Sequence, residues 1–304
     1  MTTLNEIVEQ ISSEVKQNDV AVAAAADMEV LEAVNMAISR NIASFSLFDE
    51  EAKLKAMMSE HFPHLLNHPK VRLINVKGAA QAANAAVKSV FVKDSNVLMK
   101  GHIPTAVLLK AVLNDEYGLR TGNILSHVAA FEVAGFDRLI FITDAGMNIT
   151  PDLMQKAQII RNAVQVARSV GVDTPVVAPL AAVEVVNPAM QATLDSAALS
   201  AMNKRGQITD CIVDGPLALD NAISAIAAEH KGITGTTAGN ADILVVPNIE
   251  SGNILYKSLV YFAKAKVGGV IAGAKAPIVL TSRADSAESK LYSLALAIKS
   301  SAIE

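Results

Sequence analysis

The chain reads as an α/β protein built on mostly parallel sheets, and three observations predict it. Short β-branched runs alternate with Ala-rich helical patterns along the whole length. The runs are apolar nearly throughout, as strands covered on both faces are. Polar residues follow several of them at once, which is where open parallel sheets bind ligands. At 304 residues the chain is long for a single core, so two domains are expected.

In chain order, Thr3 and Glu6 carry the spacing of a helix start. Strands are expected over 20–22, 42–48, 71–76, 97–99, 138–143, 175–177, 211–213, 243–246 and 278–280, each a short Val/Ile/Leu/Phe-rich run. Helices are expected over 27–40, 79–88, 105–113, 153–170, 190–202, 219–229 and 256–266, where small and long apolar residues recur at helical spacing. The helix before Arg120-Thr-Gly122 gives way to a glycine turn, and a second crossing is expected near Gly273. The domains expected are therefore 1–122 with 277–304, and 123–276.

Composition excludes several classes. Apolar residues are 51% and mean hydropathy is +0.34, yet the longest nearly uncharged stretch, 176–183, is far too short to cross a bilayer. The first ten residues have neither a basic nor an apolar leader region, so a cytoplasmic protein is expected. Cys211 is the only cysteine, which rules out an intramolecular disulfide; its apolar neighbours predict a small buried hydrophobe. The net charge of −4, the lack of a basic run and the absence of Trp speak against nucleic-acid binding. No Cys/His group has zinc spacing, His61, His64 and His68 lie in a Pro-bounded surface segment, and no metal is expected.

Dinucleotide and P-loop fingerprints are missing. The stretch 232–240 is Gly-rich but lacks the Lys-Ser/Thr pair, so a phosphate-cradling loop and a turn needing positive φ both stay open. Ser126-His127 has no Gly-x-Ser-x-Gly elbow, which weakens a hydrolase reading. Asp144, Asp214 and Asp220 each follow or flank a strand and have N-cap or Asx-turn alternatives.

The sharpest local signal is Pro277-Ile-Val-Leu-Thr281-Ser282-Arg283-Ala-Asp285-Ser-Ala-Glu288. A buried strand stops at a hydroxyl and a guanidinium, and Asp285 with Glu288 opens a helix at capping-box spacing. Free N–H groups and the dipole at a helix start favour an anion, and Arg adds a planar, permanent charge. A phosphate or phosphate-bearing substrate is the expected ligand.

Taken in order, Leu98-Met-Lys-Gly101, Gly118-Leu-Arg-Thr-Gly122 with Leu125-Ser-His127, Thr143-Asp-Ala-Gly-Met-Asn-Ile-Thr-Pro151, Asp214-Gly-Pro-Leu-Ala-Leu-Asp-Asn221, Gly239-Asn-Ala-Asp-Ile-Leu-Val-Val-Pro-Asn248, Ser251-Gly-Asn253 and Thr281-Ser-Arg-Ala-Asp285 form a distinctive set. The set resembles the phosphate acetyl/butyryl transferase family, and most closely its butyryl members. The resemblance covers about residues 20 to 300. It implies two α/β domains around a cleft, akin to the isocitrate/isopropylmalate dehydrogenase-like architecture, and commonly a dimer, with the interface on 123–276. It also implies the reaction acyl-CoA plus phosphate to acyl phosphate plus CoA, with coenzyme A as substrate and no cofactor. On this resemblance Ser282 and Arg283 line the site, and a nearby carboxylate, Glu288 in preference to Asp285, takes the thiol proton. Ser126, Asn248, Ser251 and Asn253 are candidates for binding phosphate or the acyl carbonyl, and Lys100 and Lys257 for CoA phosphates. Three alternatives stay open: a phosphate acetyltransferase, a decarboxylating dehydrogenase, and a non-catalytic protein that closes on a phosphorylated ligand.

Overall fold

The computed structural model describes residues 2–14, 18–233, 237–280 and 285–302, which fall into two compact units. The first comprises Leu4–Asn123 with Gly268–Glu304, the second Met1–Thr3 with Ile124–Val267.

In the first unit the chain runs α1 (Leu4–Ser13), β1 (Asp19–Ala23), α2 (Met28–Ser39), β2 (Ser44–Asp49), α3 (Glu51–His61), β3 (Val71–Asn75), α4 (Ala79–Phe91), β4 (Val97–Lys100) and α5 (Thr105–Val112). The second unit adds β5 (Ser126–Glu132), β6 (Ile140–Thr143), α6 (Leu153–Ser169), β7 (Val176–Pro179), α7 (Gln191–Lys204), β8 (Ile212–Val213), α8 (Leu219–Ile223), α9 (Ala225–His230), β9 (Ile243–Val245) and α10 (Ile249–Tyr261). The strand β10 (Lys266–Ala272) carries the chain back, and β11 (Ile278–Val279) and α11 (Ala287–Ser300) complete the first unit.

Strands of the first unit lie in the order β3-β2-β1-β4-β11-β10. All neighbours are parallel except the β10–β11 hairpin, where Ile271 faces Ile278. Val20 to Ala23, Leu98, Met99, Ile278 and Val279 are fully buried because helices cover both faces. The helix α4 lies on β1 and β2, while α11 packs with α1 and α2. The return to this unit comes at Gly268, ahead of Gly273. A Cβ at Gly268 would sit 2.8 Å from the Tyr292 backbone, so only glycine lets β10 lie this close to α11.

The second unit orders its strands β5-β6-β9-β7-β8, with β6, β9, β7 and β8 mutually parallel and β5 antiparallel to β6. Four carboxyl ends therefore share one edge with the start of β5. Phe131, Ile140, Ile142, Ala178, Leu244 and Val246 form the core beneath it, and Tyr256 of α10 meets Phe131 edge-on at 5.1 Å. A capping box opens α6: Asp152 accepts from the Gln155 N–H, and the Gln155 side chain accepts from the Asp152 N–H.

Sequence expectations need correction at several elements. Helix α3 lies outside the expected set, and the helix expected over 219–229 is two, α8 and α9, because Ser224 breaks it and caps α9 by accepting from the Ala227 N–H. The strands β5 and β10 were not anticipated, because small residues in Ser126–Glu132 and the Gly268-Gly269 pair mask the strand pattern. The helix expected over 256–266 occupies Ile249–Tyr261, since the Asn248 side chain accepts from the Ser251 N–H and starts it earlier. Residues 249–253 are thus helix rather than loop. Finally, α11 is capped by Ser286, which accepts from the Ser289 N–H; Asp285 and Glu288 do not form the capping box their spacing predicts.

Candidate active site

On the first unit, the carboxyl edge brings together the exits of β1 and β4 and the starts of α2 and α11. Ser282 and Arg283 lie outside the described residues. Glu288 stands exposed on the first turn of α11, and the buried Tyr292 hydroxyl lies 2.8 Å from its Oε1 and 2.9 Å from the Asn5 side-chain amide. A hydroxyl has one proton and a carboxylate only accepts, so Tyr292 donates to Glu288 and fixes one of its two oxygens. Asp285 is half-buried, and its carbonyl accepts from Lys290 Nζ at 2.8 Å. That lysine, 2% exposed, also pairs with Glu29 at 2.9 Å and so ties α11 to the start of α2. The α2 cap, Asp27, accepts from the Val30 N–H through one oxygen and meets His102 Nδ1 at 3.1 Å through the other. Lys100 ends β4 with its ammonium on the carbonyls of Gly101 and Ile103, at 3.3 and 3.2 Å.

Sequence reasoning placed Ser126, Asn248, Ser251, Asn253 and Lys257 on the second unit, where their fates differ. Ser126 is fully buried and accepts from Asn162 Nδ2 at 2.9 Å. Asn248 and Ser251 hold each other: Asn248 Oδ1 accepts both the Ser251 N–H at 2.9 Å and its hydroxyl at 2.8 Å. Asn253 and Lys257 are exposed on α10, with the Lys257 ammonium 5.7 Å from the Tyr256 ring and 5.9 Å from that of Tyr261. Asp144 proves to be an Asx-type organiser. Its carboxylate accepts the N–H groups of Gly146, Met147 and Asn148 and the Asn148 side-chain amide, winding the turn after β6.

A cavity of about 1060 Å³ opens at this carboxyl edge, among α6, α7 and α10. Leu180, Val246, Ile254 and Leu255 give it apolar walls, and Asn248 and Ser251 stand on its lining. In it lies an ion pair that sequence reasoning missed: Lys156 Nζ meets Asp195 Oδ2 at 2.6 Å, with side chains 8% and 10% exposed. Gln191 donates to the other Asp195 oxygen at 2.9 Å. A charged residue inside each of two amphipathic helices was the only sequence signal, and it resembles an ordinary solvated face.

Other candidates resolve plainly. Burial pushes the Cys211 thiol up to about 11, with Asp210 adding to the rise, so the thiol is inert as expected. No group of three or more His, Cys, Asp or Glu suited to a metal occurs among the described residues. No helix among them is long and apolar enough to cross a membrane. In the Gly-rich stretch, residues 234–236 lie outside the described residues; Gly239 takes φ +82, as the turn reading expects. The exposed Asp220 carboxyl is held below its ordinary range by the hydrogen bond from Lys231. Asp214 accepts the Thr237 hydroxyl.

Comparison with known proteins gives the arrangement a context. The family described as phosphate acetyl/butaryl transferase matches residues 65–298. A Bacillus subtilis (strain 168) protein named "Probable phosphate butyryltransferase" is 56% identical over 283 residues, covering 93% of each chain. A phosphate acetyltransferase of Thermotoga maritima is 47% identical over 281 residues, covering 92% of this chain and 94% of its own. Among solved structures, the branched-chain phosphotransacylase from Enterococcus faecalis V583 superposes with a TM-score of 0.83 at 37% identity, covering 94% of this chain and 99% of that one. The chain belongs to the phosphate acetyl/butyryl transferase family.

Proposed function

We propose that the protein moves short acyl groups reversibly between coenzyme A and inorganic phosphate, with butyryl and branched short chains preferred to acetyl. The observation that carries this reading is the 56% identity to the B. subtilis protein across 93% of both chains. In the forward direction a phosphate oxygen attacks the thioester carbonyl, the C–S bond breaks, and the CoA thiolate takes up a proton. In reverse, a carboxylate removes the thiol proton and the thiolate attacks acyl phosphate. Arg283 neutralises the phosphate, and Ser282 donates a hydrogen bond to the reacting sulfur or carbonyl; one such preorganised donor is worth ~3–4 kcal/mol. Glu288 serves as base in preference to Asp285. Its exposure on the first turn of α11 and the oriented contact with Tyr292 support that choice.

CoA, phosphate and acyl phosphate are then the partners, and the reaction needs no cofactor. A homodimer formed through the second unit and a cytoplasmic location complete the proposal. Ile149, Met154, Val185, Ile226, Ile254 and Phe262 all stand exposed on that unit, which supports the dimer. The test is thiol release from acetyl-, butyryl- and isobutyryl-CoA, with and without inorganic phosphate. Phosphate-dependent release, fastest with the four-carbon chains, is expected. Release independent of phosphate would sink the acyltransferase reading, and a preference for acetyl-CoA would replace it with an acetyltransferase, as the T. maritima relative would favour.

A further inference from the structure

Written with its protons, the exchange proposed above is acyl-CoA plus hydrogen phosphate giving the acyl phosphate dianion plus CoA thiol. The phosphate loses a proton at one end of the reaction while the sulfur gains one at the other. With Glu288 serving the sulfur, the phosphate needs a proton carrier of its own. The need is sharpest in reverse. As thiolate attacks acyl phosphate and the C–O bond breaks, the group departing without a proton is the phosphate trianion, a poor leaving group. Arginine holds a phosphate but does not give up its proton. Histidine is the side chain suited to exchange one near neutrality.

The chain has six histidines. His127 and His230 belong to the second unit, while His61, His64 and His68 lie from the last residue of α3 to the start of β3, at the amino edge of the first. His102 alone follows a strand of the first unit, at its carboxyl edge. That strand, β4, pairs with β11: Leu98 stands beside Ile278 and Met99 beside Val279. The chain therefore leaves both strands at one edge, about 4.8 Å apart, and from β11 it runs on toward Ser282 and Arg283. Past that pair, the Asp285 carbonyl is tied through Lys290 to Glu29 on α2, and the α2 cap is Asp27, the partner of His102. Described residues on either side of Ser282-Arg283 are thus joined to the elements that carry the Asp27–His102 pair.

The imidazole is held in place from its backbone outward. The His102 N–H donates to the Ala24 carbonyl at 2.7 Å, and Lys100 Nζ donates to the carbonyls of Gly101 and Ile103 on either side of it. A Cβ at Gly101 would overlap the Ala24 carbonyl, so the turn after β4 lies flush on the β1 exit. Asp27 Oδ2 lies 3.1 Å from His102 Nδ1, and a carboxylate only accepts, so Nδ1 carries a proton. Nε2 is left to give or take one, on a side chain 53% exposed. A carboxylate that fixes one ring nitrogen while the other does the chemistry is the logic of the Ser-His-Asp triad.

We propose that His102 is the proton carrier for phosphate. Its Nε2 takes the P–OH proton as the phosphate oxygen bonds to the thioester carbon and the C–S bond breaks. In reverse it returns that proton to the departing phosphate as the C–O bond breaks. The proton taken by His102 is matched by the one Glu288 delivers to the sulfur, and exchange with water resets both groups between turnovers. Asp27 is a positioning residue that fixes the tautomer of the ring. The assignment rests on the acyltransferase reading above and adds a catalytic residue on its phosphate side.

Two variants test the assignment. His102→Gln keeps a polar side chain that cannot exchange a proton. Asp27→Asn keeps an acceptor for the Val30 N–H, and so the α2 cap, but turns an amide donor toward Nδ1 and moves the ring proton to Nε2. With butyryl-CoA and phosphate, and in reverse with butyryl phosphate and CoA, kcat should fall about 10²–10⁴-fold in His102→Gln and at least about tenfold in Asp27→Asn. KM for phosphate and for butyryl-CoA should stay within about threefold, with the melting midpoint at its wild-type value. Nitrogen NMR of the wild type should show His102 protonated at Nδ1. A kcat for His102→Gln within about threefold of wild type overturns the proposal. So does a raised KM for phosphate at unchanged kcat, which makes His102 a phosphate ligand only, and so does full activity in Asp27→Asn. Phosphate-dependent thiol release by the wild type is measured alongside. Its absence would sink the acyltransferase reading, whereas its presence with an unimpaired His102→Gln sinks only the role of His102.

Discussion

Exchanging Lys156 for methionine tests the buried pair by removing the ammonium while keeping side-chain length. Asp195 would retain its charge at 10% exposure, with the Gln191 amide at 2.9 Å as its remaining donor. Removing one partner of a buried pair costs about 3–5 kcal/mol, because the surviving charge is neither hydrated nor neutralised. At about 2–4 °C per kcal/mol for a unit of this size, the melting midpoint should fall by roughly 6–20 °C. Adding Asp195→Leu removes the orphaned charge, and the double variant should recover most of the loss, since apolar replacement of a whole buried pair is often neutral. The assay is scanning calorimetry backed by urea unfolding on the wild type, both single variants and the double. A loss under about 1 kcal/mol for Lys156→Met, or a double variant no better than the singles, would refute the claim that desolvation dominates this site.

Four further outcomes are expected. Glu288→Gln should lower kcat by about 10²–10⁴ with an unchanged melting midpoint, since the side chain is exposed; near-normal turnover rules it out as base. Gly252→Ala should cost about 1–3 kcal/mol by urea unfolding, because a Cβ there meets the Asp144 carbonyl at 2.8 Å and Val246 Cγ2 at 2.8 Å. With its thiol held up at about 11, Cys211 should resist iodoacetamide at pH 8 in the native protein and react readily in urea; fast native labelling contradicts its burial. Burial holds the Asp242 carboxyl above the ordinary carboxylate range, so the folded state binds its proton more tightly than the unfolded chain. This group therefore adds stability as pH falls from its raised folded value through the ordinary carboxylate range, and Asp242→Asn should remove that increment from a pH series of unfolding curves.

Much of the fold was legible because buried parallel strands have so few sequence solutions. The runs at the centre of the sheets, which became β4, β6, β7, β9 and β11, are almost wholly apolar, because a strand covered on both faces has no polar side to vary; β2, with Ser44 and Ser46, and the edge strand β3, with Arg72 and Asn75, were legible from their β-branched and aromatic residues instead. The misses had physical causes. At Gly268-Gly269 a strand carries the residues of a turn, because α11 presses on it too closely for a Cβ at Gly268. At α11 three residues compete to cap one helix; spacing favoured the carboxylates, and geometry chose the Ser286 hydroxyl. Ser126, offered by sequence as a ligand-binding hydroxyl, is committed to Asn162 in the core, and Asn248 and Ser251 are committed to each other.

The sequence alone determined the α/β alternation, the inertness of Cys211 and, through seven motifs in a fixed order, the family. These depend on local periodicity or on residue identity, which a string records in full. Only the tertiary structure decided that Lys156 and Asp195, thirty-nine positions apart, share one proton donor's distance inside an apolar cavity. Whether a charged residue faces water or a buried counter-charge depends on how two helices pack, and a linear pattern of polar and apolar residues is the same in both cases.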